Sequence, residues 1–474
     1  MSDWASLRRA RVPEWFAAAK FGIWSHWGPQ SVGRSGDWYA RHLYGMRPGS
    51  EPWERRRAER QQAHHEKHFG RGGAKDLFSR WRAERFDPGE LMDLYTAAGA
   101  RYFVALATHC DNFDLWDSRL HPWNSVRVGP RRDIVGAWRR AAREAGLPFG
   151  LSFHQNWTWR WLDVATDRAW DGTGLDPADL YPEEHPPGAK PPQHVAEHFY
   201  ARVREALGRY RPDLVYLDDT RMPFDEGSVV ECDPPSPLGL ELLRDYYDKN
   251  PEGIVTIKQV PDEDRTAVVL DCERRQLDDI QPHPWQFDTS DGEWFDCEDD
   301  SDLFHPRKTS RQIIHTLIDV VSKNGCLLLN IPQRADGTVD DRARTLLAEV
   351  GAWLEVCGEG VYGTTPWLRA GEGATGLGGT RGYEGYNEAD HAYGPGDVRF
   401  TRRGETLYAT LLGWPRGTAS ITSLGTTTGL LRRRPRRVEL LGHGPVGWRL
   451  APEALHADLP PEPPTTAAYM LKIT

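Results

Sequence analysis

The stretch LVYLDD, residues 214–219, is four apolar residues running straight into two adjacent carboxylates. Apolar residues without polar alternation fit a strand covered on both faces, as in parallel sheets. The same grammar recurs along the first three quarters of the chain: FGIWSH ends at His26, YFVALATH at His109, PFGLSFH at His154 and AVVLDCE at Glu273. Parallel barrels gather their functional groups at the carboxyl ends of the strands, so Asp218 is the first candidate for a catalytic residue.

Working outward, the segments between these runs read as helices. Residues 86–100 (FDPGELMDLYTAAGA) carry apolar residues at helical spacing and reach Gly99 just before YFVALATH. Residues 133–146 repeat the plan: Asp133 can cap, IVGAWRRAAREA forms the body, and Gly146 stops it ahead of PFGLSF. Residues 198–210 lead likewise into LVYLDD, and 311–321 into CLLLNI. Eight strand-like runs, starting near 21, 102, 148, 214, 254, 266, 285 and 326, predict a (β/α)8-like barrel over residues 1–360. Residues 170–194, rich in proline and acidic side chains, read as a long loop after the third strand, over the mouth of such a barrel. From residue 361 to 474 the chain turns to glycine-rich turns and short alternating runs, which predict a C-terminal all-β sandwich.

Composition bounds the class. A length of 474 residues exceeds one ordinary core, and no apolar stretch approaches the roughly 18 residues needed to span a bilayer. The N-terminus, MSDWASLRRARVPEWF, lacks the apolar core of a secretory signal, so a cytoplasmic location is expected. A net charge of -10 argues against nucleic acid, whose phosphates require a basic surface, and RRRPRR near residue 432 reads as a solvated turn. Six cysteines without a C-x-x-C pair read as free thiols. The expected partner is a small molecule or oligosaccharide, with neither nucleic acid nor membrane; homo-oligomerisation stays open.

The strand ends assemble a chemical inventory: His26 with Trp27, His109 with Asp111, His154 with Trp157, Asp218 with Asp219, Lys258, and Glu273. Two carboxylates from different strands suit glycoside cleavage, one attacking an anomeric carbon while the other protonates the leaving oxygen. Histidine and lysine supply directed hydrogen bonds to hydroxyls, and tryptophan faces stack on a sugar ring. A second reading keeps His26, His109, Asp111 and His154 as zinc ligands, although the first run carries no H-x-H pair. The cluster HHEKH at 64–68 lacks the H-E-x-x-H order and reads as a solvated helix.

Longer motifs carry a resemblance. AKFGIWSHWGPQSVGRSGDWYARHLYG resembles the opening strand and loop of glycoside hydrolase family 29, the α-L-fucosidases, where AKFGIFIHWG followed by EWY is usual. AGARYFVALATHCDNFDLWDS is similar to the family's AGAKY...KHHDGF.LW.S, and RPDLVYLDD to its nucleophile strand. PWQFDTSDGEWF, LIDVVSKNGCLLLNIPQRADGTVDD and GAWLEVCGEGVYGTTPW follow in order, so the resemblance runs from about residue 13 to 367. It implies a retaining exo-glycosidase built as a barrel plus a β-sandwich, with no metal or organic cofactor. Asp218 matches the nucleophile, with Asp219 in reserve; Glu273 is the choice for the acid/base, with Glu293 and Glu298 as alternatives. His26, Trp27, Trp38 and His109 match sugar-binding positions, and His154 and Lys258 join them as candidates from their own strand ends. Departures sit in the same places: Cys110 replaces the second histidine of HHD, Thr108 the preceding lysine, Asp37 the glutamate of EWY, and Lys258 a frequent arginine.

Overall fold

The computed structural model describes residues 4, 7, 11–44, 50–70, 72–163, 175–176, 179–298, 305–375 and 392–474. Eight strands close into a parallel barrel: β1 (Phe21–Ser25), β2 (Phe103–Thr108), β3 (Phe149–Phe153), β4 (Leu214–Leu217), β5 (Ile254–Lys258), β6 (Val269–Glu273), β7 (Trp285–Ser290) and β8 (Gly325–Asn330). Each pairs with the next, and β8 returns to β1 through Phe21↔Leu327 and its neighbours. Every residue of β1 to β4 is buried, as their unbroken apolar pattern requires. β5 and β6 are buried except at their last residues, Lys258 and Glu273, which emerge at the mouth.

The predicted strand near 266 begins at Val269, where pairing with Thr256 starts; a short 3-10 turn at Asp262–Asp264 occupies the chain just before it. Asp87 and Asp133 cap helices Pro88–Ala97 and Ile134–Glu144 by accepting backbone N–H bonds, which orients each helix to return the chain to the next strand. Helix Gln193–Tyr210 begins inside the predicted 170–194 loop, of which residues up to 174 and 177–178 lie outside the described residues. The HHEKH stretch lies in helix Pro52–Phe69, where the His65 ring bonds the Tyr39 hydroxyl (2.9 Å) and His64 donates to the Gly33 carbonyl (2.8 Å).

The barrel interior carries an unusual amount of polar chemistry. A Cβ on Gly22 would fall 2.4 Å from the Tyr102 ring, so glycine in β1 lets that ring cross the barrel. The Tyr102 hydroxyl donates to Gln286 (3.3 Å), whose amide donates to Asp271 (2.8 Å), which also receives the Tyr216 hydroxyl (3.1 Å). A hydrogen-bonded column thus rises to the floor of the mouth.

Past helix Asp341–Cys357 the described residues form nine strands: β9 (Thr365–Glu372), β10 (Val398–Arg403), β11 (Thr406–Leu411), β12 (Thr418–Ile421), β13 (Val438–Leu440), β14 (Gly444–Pro445), β15 (Trp448–Leu450), β16 (Leu455–Asp458) and β17 (Tyr469–Ile473). They form a six-stranded sheet, β14-β13-β17-β11-β10-β9, and a three-stranded sheet, β12-β16-β15. Phe400, Leu411 and Leu471 of one sheet and Ile421 and Leu455 of the other share one apolar core. Arg399 joins this unit to the barrel by donating to buried Asp319 (2.7 Å), which also holds Lys323 (2.6 Å). Among the described residues no helix is long and apolar enough to cross a membrane. None of the six cysteines forms a disulfide.

Candidate active site

A cavity of about 350 Å³ opens at the carboxyl ends of the barrel strands. The first residues beyond β1, β2, β3 and β4 are His26, His109, His154 and Asp218, and all four line it, together with Lys258 and Glu273. Adjacent Asp218 and Asp219 part ways because successive strand residues face opposite sides. Asp219, 1% exposed, accepts from Asn156 (2.9 Å), Ser228 (2.7 Å), Thr220 N (2.6 Å) and Val229 N (3.0 Å). Its lone pairs are spent pinning the loop after β4, which leaves Asp218 as the acid facing open space.

Lys258 joins the two carboxylates. Its ammonium donates to Asp218 Oδ1 at 2.6 Å and to Glu273 Oε2 at 2.5 Å. The other Asp218 oxygen receives His154 Nδ1 at 2.9 Å, and the Trp157 indole donates to the Asp218 carbonyl at 3.1 Å. Burial works against a charge on Asp218, but the Lys258 ammonium and His154 outweigh it and hold the carboxyl well below its usual range. Asp218 is therefore ionised, and it shares one cation with the Glu273 carboxyl group.

The histidines supply both hydrogen-bonding polarities. Gln30 Oε1 accepts from Ala40 N (3.1 Å), which turns the amide nitrogen towards His109 Nδ1 at 2.5 Å. His109 Nδ1 accepts that bond, so the proton rides on Nε2. His154 donates from Nδ1 to Asp218. Burial, then a neighbouring histidine (His109 for His26, His154 for His109), lowers the pKa of His26 and His109 well below the usual histidine value, so both are neutral. Ring nitrogens of His26, His109 and His154 lie within 4.8 Å of one another, the spacing of a three-ligand metal site. A metal needs three lone pairs, whereas His109 carries its proton on Nε2, which matches a hydroxyl oxygen. The donor set fits a polyol better than a cation.

Aromatic side chains form the walls. Trp157 and Trp161 stack at 5.3 Å between centroids, Trp38 meets Trp161 edge-on at 5.7 Å, and the Arg41 guanidinium lies 4.4 Å over Trp161. Trp38 holds a left-handed backbone (φ 59°), a costly conformation for a bulky residue, and it lines the cavity. Trp27 does not reach the site. Its indole donates to the Arg334 carbonyl (2.9 Å) and its ring packs on Trp81 and Phe86, because it falls on the outward side of the strand that sends His26 inward. Among cavity residues the sequence reasoning passed over, Trp24 and Tyr216 stand two positions before His26 and Asp218, and that spacing of two was the available signal. Trp294, Asp288, Trp53 and the Arg41–Glu54 ion pair (2.6 Å) are brought in by tertiary folding. Cys110 lines the cavity as a thiol that burial, and then Asp218, keeps protonated.

The other acid candidates lie elsewhere. Glu293, 2% exposed, is clamped by Arg57 at 2.8 Å and does not line this cavity. Glu298 is an exposed partner of Arg34 at 3.2 Å.

Comparison with known proteins gives a consistent picture. A family profile described as alpha-L-fucosidase matches residues 1–359, and a second, described as the alpha-L-fucosidase C-terminal domain, matches residues 394–474. The tissue alpha-L-fucosidase of Rattus norvegicus is 27% identical over 493 residues, covering 100% of this chain and 92% of that protein. That of Homo sapiens is 27% identical over 492 residues, covering 100% and 91%. The crystal structure of Thermotoga maritima alpha-fucosidase in complex with fucose superimposes with a TM-score of 0.74 at 26% identity, covering 100% of both chains.

Proposed function

This chain belongs to the α-L-fucosidase family, and on that premise we propose that it hydrolyses terminal α-L-fucosides by double displacement, with net retention at the anomeric carbon. One observation carries the mechanism: Asp218 and Glu273 share the ammonium of Lys258. Their nearest oxygens therefore lie no farther apart than two hydrogen bonds, 2.6 and 2.5 Å, laid end to end. Retaining glycosidases hold their carboxyl groups about 5–5.5 Å apart, whereas inverting enzymes leave about 6.5–9.5 Å for a water. The spacing here supports direct attack.

In the first step the Asp218 carboxylate bonds to the anomeric carbon as the glycosidic bond breaks, and Glu273 passes its proton to the leaving oxygen. In the second, water attacks the same carbon, the ester bond breaks, and Glu273 takes the proton from water. Negative charge moves from Asp218 to Glu273 and back. Lys258, within reach of both, stays paired at each stage without moving, so little reorganisation accompanies the charge transfer. His109 donates to a sugar hydroxyl and His154 hydrogen-bonds another, Trp157 and Trp161 supply stacking surface, and Cys110 is a weak partner for any hydroxyl that reaches it.

Proton NMR of the first-formed sugar from an aryl α-L-fucoside tests the reading. The α-anomer is expected to appear first and then mutarotate, at a rate indifferent to chelator. Initial release of the β-anomer would sink the double displacement while leaving the hydrolase standing.

A further inference from the structure

The floor of the cavity holds two carboxyl groups that the reaction above does not use. Asp271 on β6 and Asp288 on β7 are 2% and 0% exposed, and both reach one hydroxyl, that of Tyr216, at 3.1 and 3.4 Å. Two buried like charges gathered on one hydroxyl are strongly unfavourable, so the pair carries one negative charge. Their neighbours decide which acid keeps the proton. Asp271 accepts from Gln286 (2.8 Å) and from the Tyr216 hydroxyl (3.1 Å), as a carboxylate should. Asp288 receives only a longer contact from Tyr216 (3.4 Å), and its Oδ1 is buried without a hydrogen-bond partner. Burial, then the charges of Asp271 and Glu273, pushes Asp288 well above the usual carboxylate range, while Asp271 rises only to about 6.

Strand register ties the pair to the catalytic carboxylates. Lys258 on β5 is the direct cross-strand partner of Asp271, and Glu273 on β6 is that of Asp288. Lys258 closes the diagonal to Glu273 at 2.5 Å and reaches forward to Asp218 beyond β4. The ionisable groups facing the pair are thus Tyr216 and Asp218 from β4, Lys258 from β5, Glu273 from β6, and Tyr102 through Gln286. With one negative charge behind it, the ammonium stays divided between Asp218 and Glu273; two would draw it down and off both.

We propose that Asp271 and Asp288 are positioning residues, a carboxyl pair sharing one proton that seats Lys258 between Asp218 and Glu273, with Asp288 remaining the acid throughout turnover. The inference rests on the roles given to Asp218 and Glu273 above. It predicts an asymmetry between two neighbouring acids, read as kcat and KM on an aryl α-L-fucoside. Asp288→Asn, which keeps a donor to Asp271 and no charge, should lower kcat by less than about tenfold. Adding Asp271→Asn removes the floor charge: kcat should fall about tenfold or more below the single variant, with KM nearly constant. Asp288→Thr, which retains a hydroxyl donor, should behave as Asp288→Asn and decides the matter if that variant does not fold. A folded single variant as impaired as the double variant would overturn the proposal, as would a double variant with the parent kcat. A parent chain inert towards every fucoside would overturn the functional assignment as well.

Discussion

Two clusters in this molecule contain the same parts, two carboxyl groups and one cation, and have opposite characters. In one, Lys258 joins Asp218 and Glu273 with side chains 23%, 15% and 16% exposed at the cavity. In the other, Arg57 donates two bonds to Glu293 (2.8 and 3.4 Å), with side chains 8% and 1% exposed. Asp37 beside them accepts from the backbone of Trp294 (2.6 Å) and Phe295 (3.0 Å). The planar guanidinium and the backbone amides consume the lone pairs of that second cluster and lock the loop after β7 to the segment before Trp38. The ammonium of the first is a rotatable point charge that leaves carboxylate oxygens facing space. A carboxylate becomes a reagent when its lone pairs are held but not used up.

The comparison breaks or sharpens under substitution. The largest effect is expected at Asp218: Asp218→Gly should lower kcat by about 10⁴-fold or more, and azide should restore turnover as a β-fucosyl azide. Full activity in that variant would move the nucleophile elsewhere. Next, Glu273→Gln should cost about 10²–10⁴-fold on substrates with poor leaving groups and far less on activated aryl fucosides, a split that steady-state kinetics across a leaving-group series reads directly.

Glu293→Gln belongs to the opposite class. It leaves Arg57 buried without its full partner, so thermal or denaturant unfolding should show a loss of about 3–5 kcal/mol, while kcat of the folded protein stays within about threefold. Abolished turnover in folded Glu293→Gln would erase the distinction between the clusters. The smallest effect is a pH dependence. Burial opposes the charge of Glu293, but Arg57 and Asp37 overcome it and bring the carboxyl down to about 2. A depressed carboxylate contributes stability above its unfolded value and loses it as pH falls through the folded value. The melting-temperature gap between the parent and Glu293→Gln should therefore narrow as pH falls from about 4.5 towards 2. A constant gap would mean that the Arg57 clamp does not depend on the charge of Glu293.

Much of this was legible along the chain. The apolar runs marked all eight barrel strands because burial on both faces leaves no room for polar alternation, and Asp133 announced its helix by capping it. Asp218 was legible for the same reason: it is where a buried run meets the mouth. Trp27 misled because adjacency to His26 carries no information about face, and in a strand the next residue points the other way. Trp294 and Asp288 were illegible, since a residue of the seventh strand or its loop joins the site only when the barrel closes.

The sequence by itself determined the architecture, the strand ends and the inventory of ionisable groups, because hydrophobic periodicity and chain direction are local properties. Only the tertiary structure decided which acids act together. Asp218, Asp219, Glu273 and Glu293 are equivalent as letters. What separates them is the company closure brings: Lys258 and open space for Asp218 and Glu273, loop amides for Asp219, and a sealed guanidinium for Glu293.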